Sequence, residues 1–308
     1  MKSNIIQSNK KAGFTIVELL TVMSIIVILI GLLVPAINMS KRYAQLVKQK
    51  AQFHSMDGAV ELYNTEFEGY PPSIATDPSG EEYCGAMKLC EAMMGQDLMG
   101  FHPNSLFRAD GTDGVDFPFY TPETESARVG TYLPLESANA YRIQEIYGVT
   151  GSFDPDYPNY VLCDVYTRQT KTGVKTGMPI LYYKANVTKT SHNVSSPLNS
   201  IYNYLDNDEL VKIGMPWEEL PSAGGPAHPM SSVGTTRYEV SGSRIPSDPR
   251  IFYEHTRSEK ITTIPRPYKS DSYILLSAGY DGEYGTRDDV YNFDKSLIDF
   301  VDFIQQNP

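Results

Sequence analysis

The chain is poor in cysteine, tryptophan and basic charge, and it lacks the short signatures of common catalytic folds. Cys84, Cys90 and Cys163 are the only cysteines among 308 residues. An odd count without a C-x-x-C spacing argues against a disulfide framework or a zinc ribbon. Cys84 and Cys90 stay open to two readings, a pair across a loop or two free thiols; on one helix, six residues apart, they would be too distant to bridge. Lys and Arg number 26 against 37 Asp and Glu, a formal charge of −11. Such a chain is not a general nucleic-acid binder, which needs a basic face to replace phosphate counterions; the acidity suits a soluble domain or one that collects divalent cations. The five histidines, His54, His102, His192, His228 and His255, show no HExxH or HxH spacing, and no GxSxG, Walker loop or GxGxxG occurs. No enzyme is expected. The single tryptophan, Trp217, reads as a core or loop-packing residue ahead of a sugar-stacking one.

What is present is a sharp change of composition along the chain. Hydrophobic residues make up 41% and charged residues 20%, enough for most of it to fold. Residues 1–13 are short and polar, with Lys2, Lys10 and Lys11; residues 14–39, FTIVELLTVMSIIVILIGLLVPAINM, are almost wholly apolar. That run reaches the roughly 20 residues that span a bilayer as a helix. A secretory signal peptide has an apolar stretch of only about 7–15 residues before a small-residue cleavage site. This run is longer and no A-x-A follows it, so a retained segment is expected.

The helix should continue over residues 40–70, because Tyr43, Leu46, Val47, Phe53, Met56, Val60, Tyr63 and Phe67 recur at steps near three and four. Gly69-Tyr70-Pro71-Pro72 then stops it. Residues 71–308 read as one globular domain. A helix is expected over 81–100, long surface loops over 101–158, strands at 159–166, 179–185 and 272–279, and a C-terminal helix over 295–306 capped by Asp294. Residues 186–270, rich in Ser, Pro, Gly and Asn, give no clear pattern.

Glu18 interrupts the apolar run. A charge inside a bilayer costs on the order of 3 kcal/mol and normally has a partner, unless it lies near the surface and snorkels. Its neighbours, Lys11-Ala12-Gly13-Phe14-Thr15-Ile16-Val17-Glu18, resemble the type IV prepilin processing signal: a basic leader ending in Gly, then Phe, with Glu as the fifth residue after the junction. Pro35 falls where that family carries a helix-bending proline. The resemblance implies an α+β pilin-like fold, a long N-terminal helix packed on a small antiparallel sheet with large loop insertions. It also implies that a prepilin peptidase cuts between Gly13 and Phe14 and that the new Phe14 amine is methylated. Subunits would then assemble into a helical filament in which Glu18 pairs with the Phe14 amine of a neighbour. Two groups that are each costly in lipid offset that cost by pairing. Lysines and arginines flank the apolar run on both sides, so charge alone does not orient it. The resemblance places the N-terminus in the cytoplasm, the helix in the inner membrane as a single pass, and the C-terminal domain outside.

Residues 277–289, Ser-Ala-Gly-Tyr-Asp-Gly-Glu-Tyr-Gly-Thr-Arg-Asp-Asp, form a second acidic feature. Glycines at 279, 282 and 285 permit tight turns that bring Asp281, Asp288 and Asp289 together. Calcium takes six to eight oxygens from such groups. The spacing is not that of an EF-hand, because Gly285 and Asn292 stand at positions 5 and 12, where that motif needs an oxygen ligand and a glutamate. A solvated Asp-Gly turn is the plainer reading. The loop also resembles the calcium loop of type II secretion major pseudopilins, with Tyr280-Asp281-Gly282 in place of Ala-Asp-Gly. That resemblance implies Ca²⁺ on Asp281, Asp288 and Asp289 with loop carbonyls. Its partners would be copies of the chain, other pseudopilins, the prepilin peptidase and the inner-membrane assembly platform. The resemblance spans residues 9–72 and 268–295; the stretch of about 100–270 between them is insertion. Two other readings stand beside it: a type IV pilin for adhesion or DNA uptake, and a membrane-anchored envelope enzyme or sugar-binding protein with its site in that insertion.

Overall fold

A computed structural model describes residues 15–115, 117–193, 195–217, 228–232, 236–238 and 244–306. The chain divides into two units, Met1–Ala44 and Gln45–Pro308. Its described helices are α1 (Ile16–Phe67), α2 (Gly85–Met94), α3 (Leu135–Ala138), α4 (Ile143–Tyr147), α5 (Asp208–Lys212), α6 (Arg250–Thr256) and α7 (Phe300–Gln306). The strands are β1 (Ala140–Arg142), β2 (Tyr160–Leu162), β3 (Arg168–Gln169), β4 (Lys175–Thr176), β5 (Leu181–Lys184), β6 (Thr236–Tyr238), β7 (Arg244–Pro246), β8 (Tyr273–Ser277) and β9 (Val290–Tyr291). A long apolar N-terminal helix followed by small antiparallel sheets and loops is the α+β, pilin-like arrangement expected from the sequence.

In the first unit every described residue of α1 is exposed, including Ile16, Val27 and Leu32. Pro35 lies inside the helix, where it removes the hydrogen bond that would run back to the carbonyl of Gly31.

In the second unit α1 buries Gln49, Phe53, Met56, Ala59, Val60 and Tyr63, a single stripe at helical spacing. Val47 remains exposed, so the apolar periodicity read from sequence overstated the stripe at its N-terminal end. Glu68 adopts a left-handed backbone (φ 53°) that terminates the helix ahead of Gly69 and the two prolines. The central sheet has the order β5-β8-β9, with Leu181 opposite Leu276, Lys184 opposite Tyr273, and Ser277 opposite Val290. Its residues alternate between two apolar clusters, as the period of a strand requires. Tyr182, Tyr273, Leu275 and Val290 join Phe53, Met56, Val60 and Tyr63 of α1. Leu181, Tyr183, Ile274, Leu276 and Tyr291 join Ile251 and Phe252 of α6 and Met87 of α2. Strand β8 is buried throughout, which is why it reads as a continuous apolar run.

Two glutamines complete the docking of α1. Gln49 Oε1 accepts the Val165 amide at 3.0 Å, and Gln52 Nε2 donates to the Cys163 carbonyl at 2.9 Å. The helix thus supplies from side chains the hydrogen bonds that a neighbouring strand would give to the backbone beyond β2. Farther along, Asp57 Oδ1 accepts the Tyr273 hydroxyl at 2.7 Å and Asn292 Nδ2 at 2.9 Å.

The structure corrects three expectations. The helix expected over 81–100 is only α2, because Gly95 takes a positive φ of 81° and ends it. The 101–158 stretch is not a set of surface loops. It buries Phe101, Ala109, Phe119, Ile143, Ile146, Tyr147 and Phe153, and it is drawn inward by Glu91, a fully buried carboxylate that accepts Tyr83 Oη at 2.6 Å and Tyr120 Oη at 2.7 Å as well as Ser105 Oγ and Gln96 Nε2. The C-terminal helix starts at Phe300, not after Asp294. Lys295 Nζ donates to the carbonyls of Glu254 and Arg257 at the end of α6, which holds this stretch out of the helix, and Asp294 pairs with Lys50. All three cysteines are free and buried, which settles the open question of a Cys84–Cys90 pair.

Candidate functional site

The N-terminal site begins at the edge of the described residues. Gly13 and Phe14 lie outside them. Thr15 and Glu18 form a reciprocal N-terminal box: the Thr15 amide and hydroxyl donate to Glu18 Oε2 at 2.8 and 2.7 Å, and the Glu18 amide donates to Thr15 Oγ1 at 3.2 Å. This arrangement satisfies amides that the start of a helix leaves without partners. The T-x-x-E pattern ahead of an apolar run is a capping signal in the sequence, and it gives Glu18 a role within its own chain that the resemblance does not imply. The carboxylate therefore has a partner within its own chain in the isolated subunit. Among the described residues α1 is long and apolar enough to cross a membrane, with a mean hydropathy of 2.8 over its most apolar window and none of that window buried.

The acidic loop joins β8 to β9. Gly279 (φ 66°) and Gly282 (φ 74°) both need glycine: a Cβ on the first would sit 2.0 Å from the Asp288 carbonyl oxygen, and on the second 2.1 Å from Trp217 Cη2. Trp217 is thus a packing residue of this loop, as expected, with the Arg168 guanidinium 4.8 Å over its ring. The turns bring Asp281 and Asp288 together. The Asp281 amide donates to Asp288 Oδ2 at 2.8 Å, while Asp288 Oδ1 accepts the Thr286 hydroxyl at 2.9 Å. Burial, reinforced by the hydrogen bond to Asp288 and by the charges of Asp288 and Asp289, pushes the Asp281 carboxyl up to about 9.

Asp289 faces another way. Its Oδ2 accepts the Gly285 amide at 2.9 Å and lies 3.6 Å from His255 Nδ1, and its Oδ1 is buried without a hydrogen-bond partner among the described residues. The His255 ring uses Nε2 on the Ile298 carbonyl at 3.0 Å, so that nitrogen carries the proton of the neutral ring. Burial lowers His255 to about 4 and raises Asp289 well above the usual carboxylate range, so the two meet as a neutral pair and not as an ion pair. Sequence reasoning missed His255, because nothing in the spacing of α6 and this loop reveals that they touch. Among the described residues no group of three His, Cys, Asp or Glu side chains is arranged to hold a metal ion. A cation would draw first on Asp281, Asp288 and loop carbonyls, with the unpartnered oxygen of Asp289 as a further donor.

Residues 8–34 match the family described as the prokaryotic N-terminal methylation motif. The match covers the end of the leader, the Gly13-Phe14 junction, Glu18 and most of the apolar run, and stops just short of Pro35. The chain thus has a prepilin-like N-terminus, which implies processing by a prepilin peptidase, filament assembly and inner-membrane anchoring beforehand. Neither the curated proteins nor the solved structures yield a match.

Proposed function

We propose that this chain is a pseudopilin, a structural subunit of a type II secretion filament, and not an enzyme. The methylation motif over residues 8–34, running into a helix whose exposed apolar surface carries one carboxylate, is the observation that supports the reading most strongly. In this reading the prepilin peptidase cuts after Gly13 and the Phe14 amine is methylated. The subunit waits in the inner membrane as a single pass with its C-terminal domain outside. The assembly platform then moves it into a helical filament with other pseudopilins. Glu18 exchanges its contact with Thr15 for the Phe14 amine of a neighbour, because two unlike charges in lipid gain more from pairing than a carboxylate gains from one hydroxyl and one amide. Pro35 gives α1 a place to bend as the copies pack.

Calcium belongs to the same proposal. The closeness of Asp281 and Asp288, and the unpartnered Oδ1 of Asp289, favour a hard cation in the loop. Its role would be structural: displacing the protons that burial and mutual repulsion leave on Asp281 and Asp289, and fixing β9 against β8.

Deletion of the gene in the native host tests the reading. A secretion pseudopilin predicts loss of export of secreted proteins while long surface filaments are unaffected. Loss of long filaments together with adhesion or DNA uptake, with export intact, supports a type IV pilin instead.

A further inference from the structure

The second unit contains a groove of about 370 Å³ beside the docked half of α1. Met56, Leu133 and Val165 are buried in its floor; Lys48 and Glu136 stand exposed on its rims. Gln52 also lines it. Its Nε2 is committed to the Cys163 carbonyl, while its Oε1 is buried and has no partner among the described residues. An acceptor left in that state costs about 1–3 kcal/mol, so a small shift of the Gln52 amide into the groove toward a donor on an occupant is favoured.

The distribution of charge identifies the occupant. Between Glu18 and Asp57 the sequence has no acidic residue but carries Lys41, Arg42, Lys48 and Lys50. Residues 51–308 hold 19 basic side chains (26 less the 7 before residue 51) against 36 acidic ones (37 less Glu18), a formal charge of −17. A basic collar on α1 and an acidic globular part on one chain are complementary between copies. Unlike poles steer association and fix register, and like faces repel.

We infer that this groove receives the acidic globular surface of a second copy of the chain. An apolar side chain of that copy covers Met56 and Val165, a carboxylate meets Lys48, and an N–H or O–H reaches Gln52 Oε1. The inference rests on the filament reading above and names the contact made outside the membrane. An anionic lipid surface would also answer to the basic collar, but it offers no N–H or O–H matched to an enclosed amide oxygen and no shape to fill an apolar groove.

Site-specific photocrosslinking in the native host, on the full-length chain, tests it. A benzophenone amino acid is placed at Ala51 or at Ser55, both exposed at the groove, with a control at Leu29 in the apolar half of α1. Adducts of twice the subunit mass are expected from all three positions. In the background of the Ser55 probe, Lys48→Glu should cut the yield by up to about fivefold, the worth of one exposed ion pair. Self-adducts from Leu29 with none from Ala51 or Ser55, or adducts there with lipid or a different protein, overturn the groove assignment and leave the filament standing. An unchanged yield for Lys48→Glu overturns the charge pairing. Absence of self-adducts at Leu29 as well would sink the filament reading, and the groove with it.

Discussion

Replacing Gln49 by alanine tests how the soluble half of α1 is held. The side chain is fully buried, and its Oε1 accepts the Val165 amide. Truncation strands that N–H in an apolar setting, at a cost of about 1–3 kcal/mol. Gln49 Nε2 is itself buried without a partner among the described residues, so its removal returns part of that loss and sets the expectation at the lower half of the range. For a domain of this size about 1–2 kcal/mol corresponds to a fall in Tm of roughly 2–8 °C. Gln52→Ala leaves a carbonyl, which tolerates under-satisfaction better than an N–H does, and it also removes the unpartnered Oε1, so it should cost less. Differential scanning calorimetry of the purified chain in detergent reads both. If Gln49→Ala melts within a degree of the parent, α1 is held by its apolar stripe alone and the strand-like role of the glutamines is wrong.

Glu18→Gln should leave membrane insertion unchanged, since it makes the helix no more polar, yet lower the yield of crosslinked multimers; parental multimer levels would show the carboxylate to be merely tolerated. Calcium should raise the Tm of the second unit relative to EDTA, by about 2.7 kcal/mol of stability when free calcium is ~100-fold above its Kd, and Asp281→Ala should abolish the difference. Equal melting in calcium and EDTA would refute the loop's metal role. The Asp281 carboxyl is raised from 3.8 to about 9, so the folded state holds a proton that the unfolded chain releases. Metal-free stability from this group is complete below about pH 4 and is lost as pH rises toward 9, and the calcium increment should be larger at pH 8 than at pH 5. A metal-free Tm that rises over that interval in parallel with the Asp281→Ala variant would contradict the assignment.

The parts of the fold legible in the sequence were those governed by local pattern. The α1 stripe from Phe53 to Tyr63 follows helical spacing, and β5 and β8 follow from short β-branched and aromatic runs. The glycines of the acidic loop signalled their turns, although which atoms they approach is a tertiary fact. What escaped depends on side chains meeting across long separations. Glu91 gathers Tyr83, Ser105 and Tyr120, which turns an apparently polar insertion inward. Lys295 holds the end of α6 and delays the last helix. His255 lies against Asp289 although α6 and the loop share no motif. The Thr15–Glu18 box is local, a T-x-x-E pattern, yet the intermolecular role implied for the same glutamate masks it.

Processing is the step on which the whole account rests, and mass spectrometry of the N-terminus of protein purified from the native host measures it directly. The account predicts a chain that begins at Phe14 with a methylated α-amine, the leader through Gly13 having been removed. An N-terminus at Met1, or one generated beyond residue 30, would contradict it.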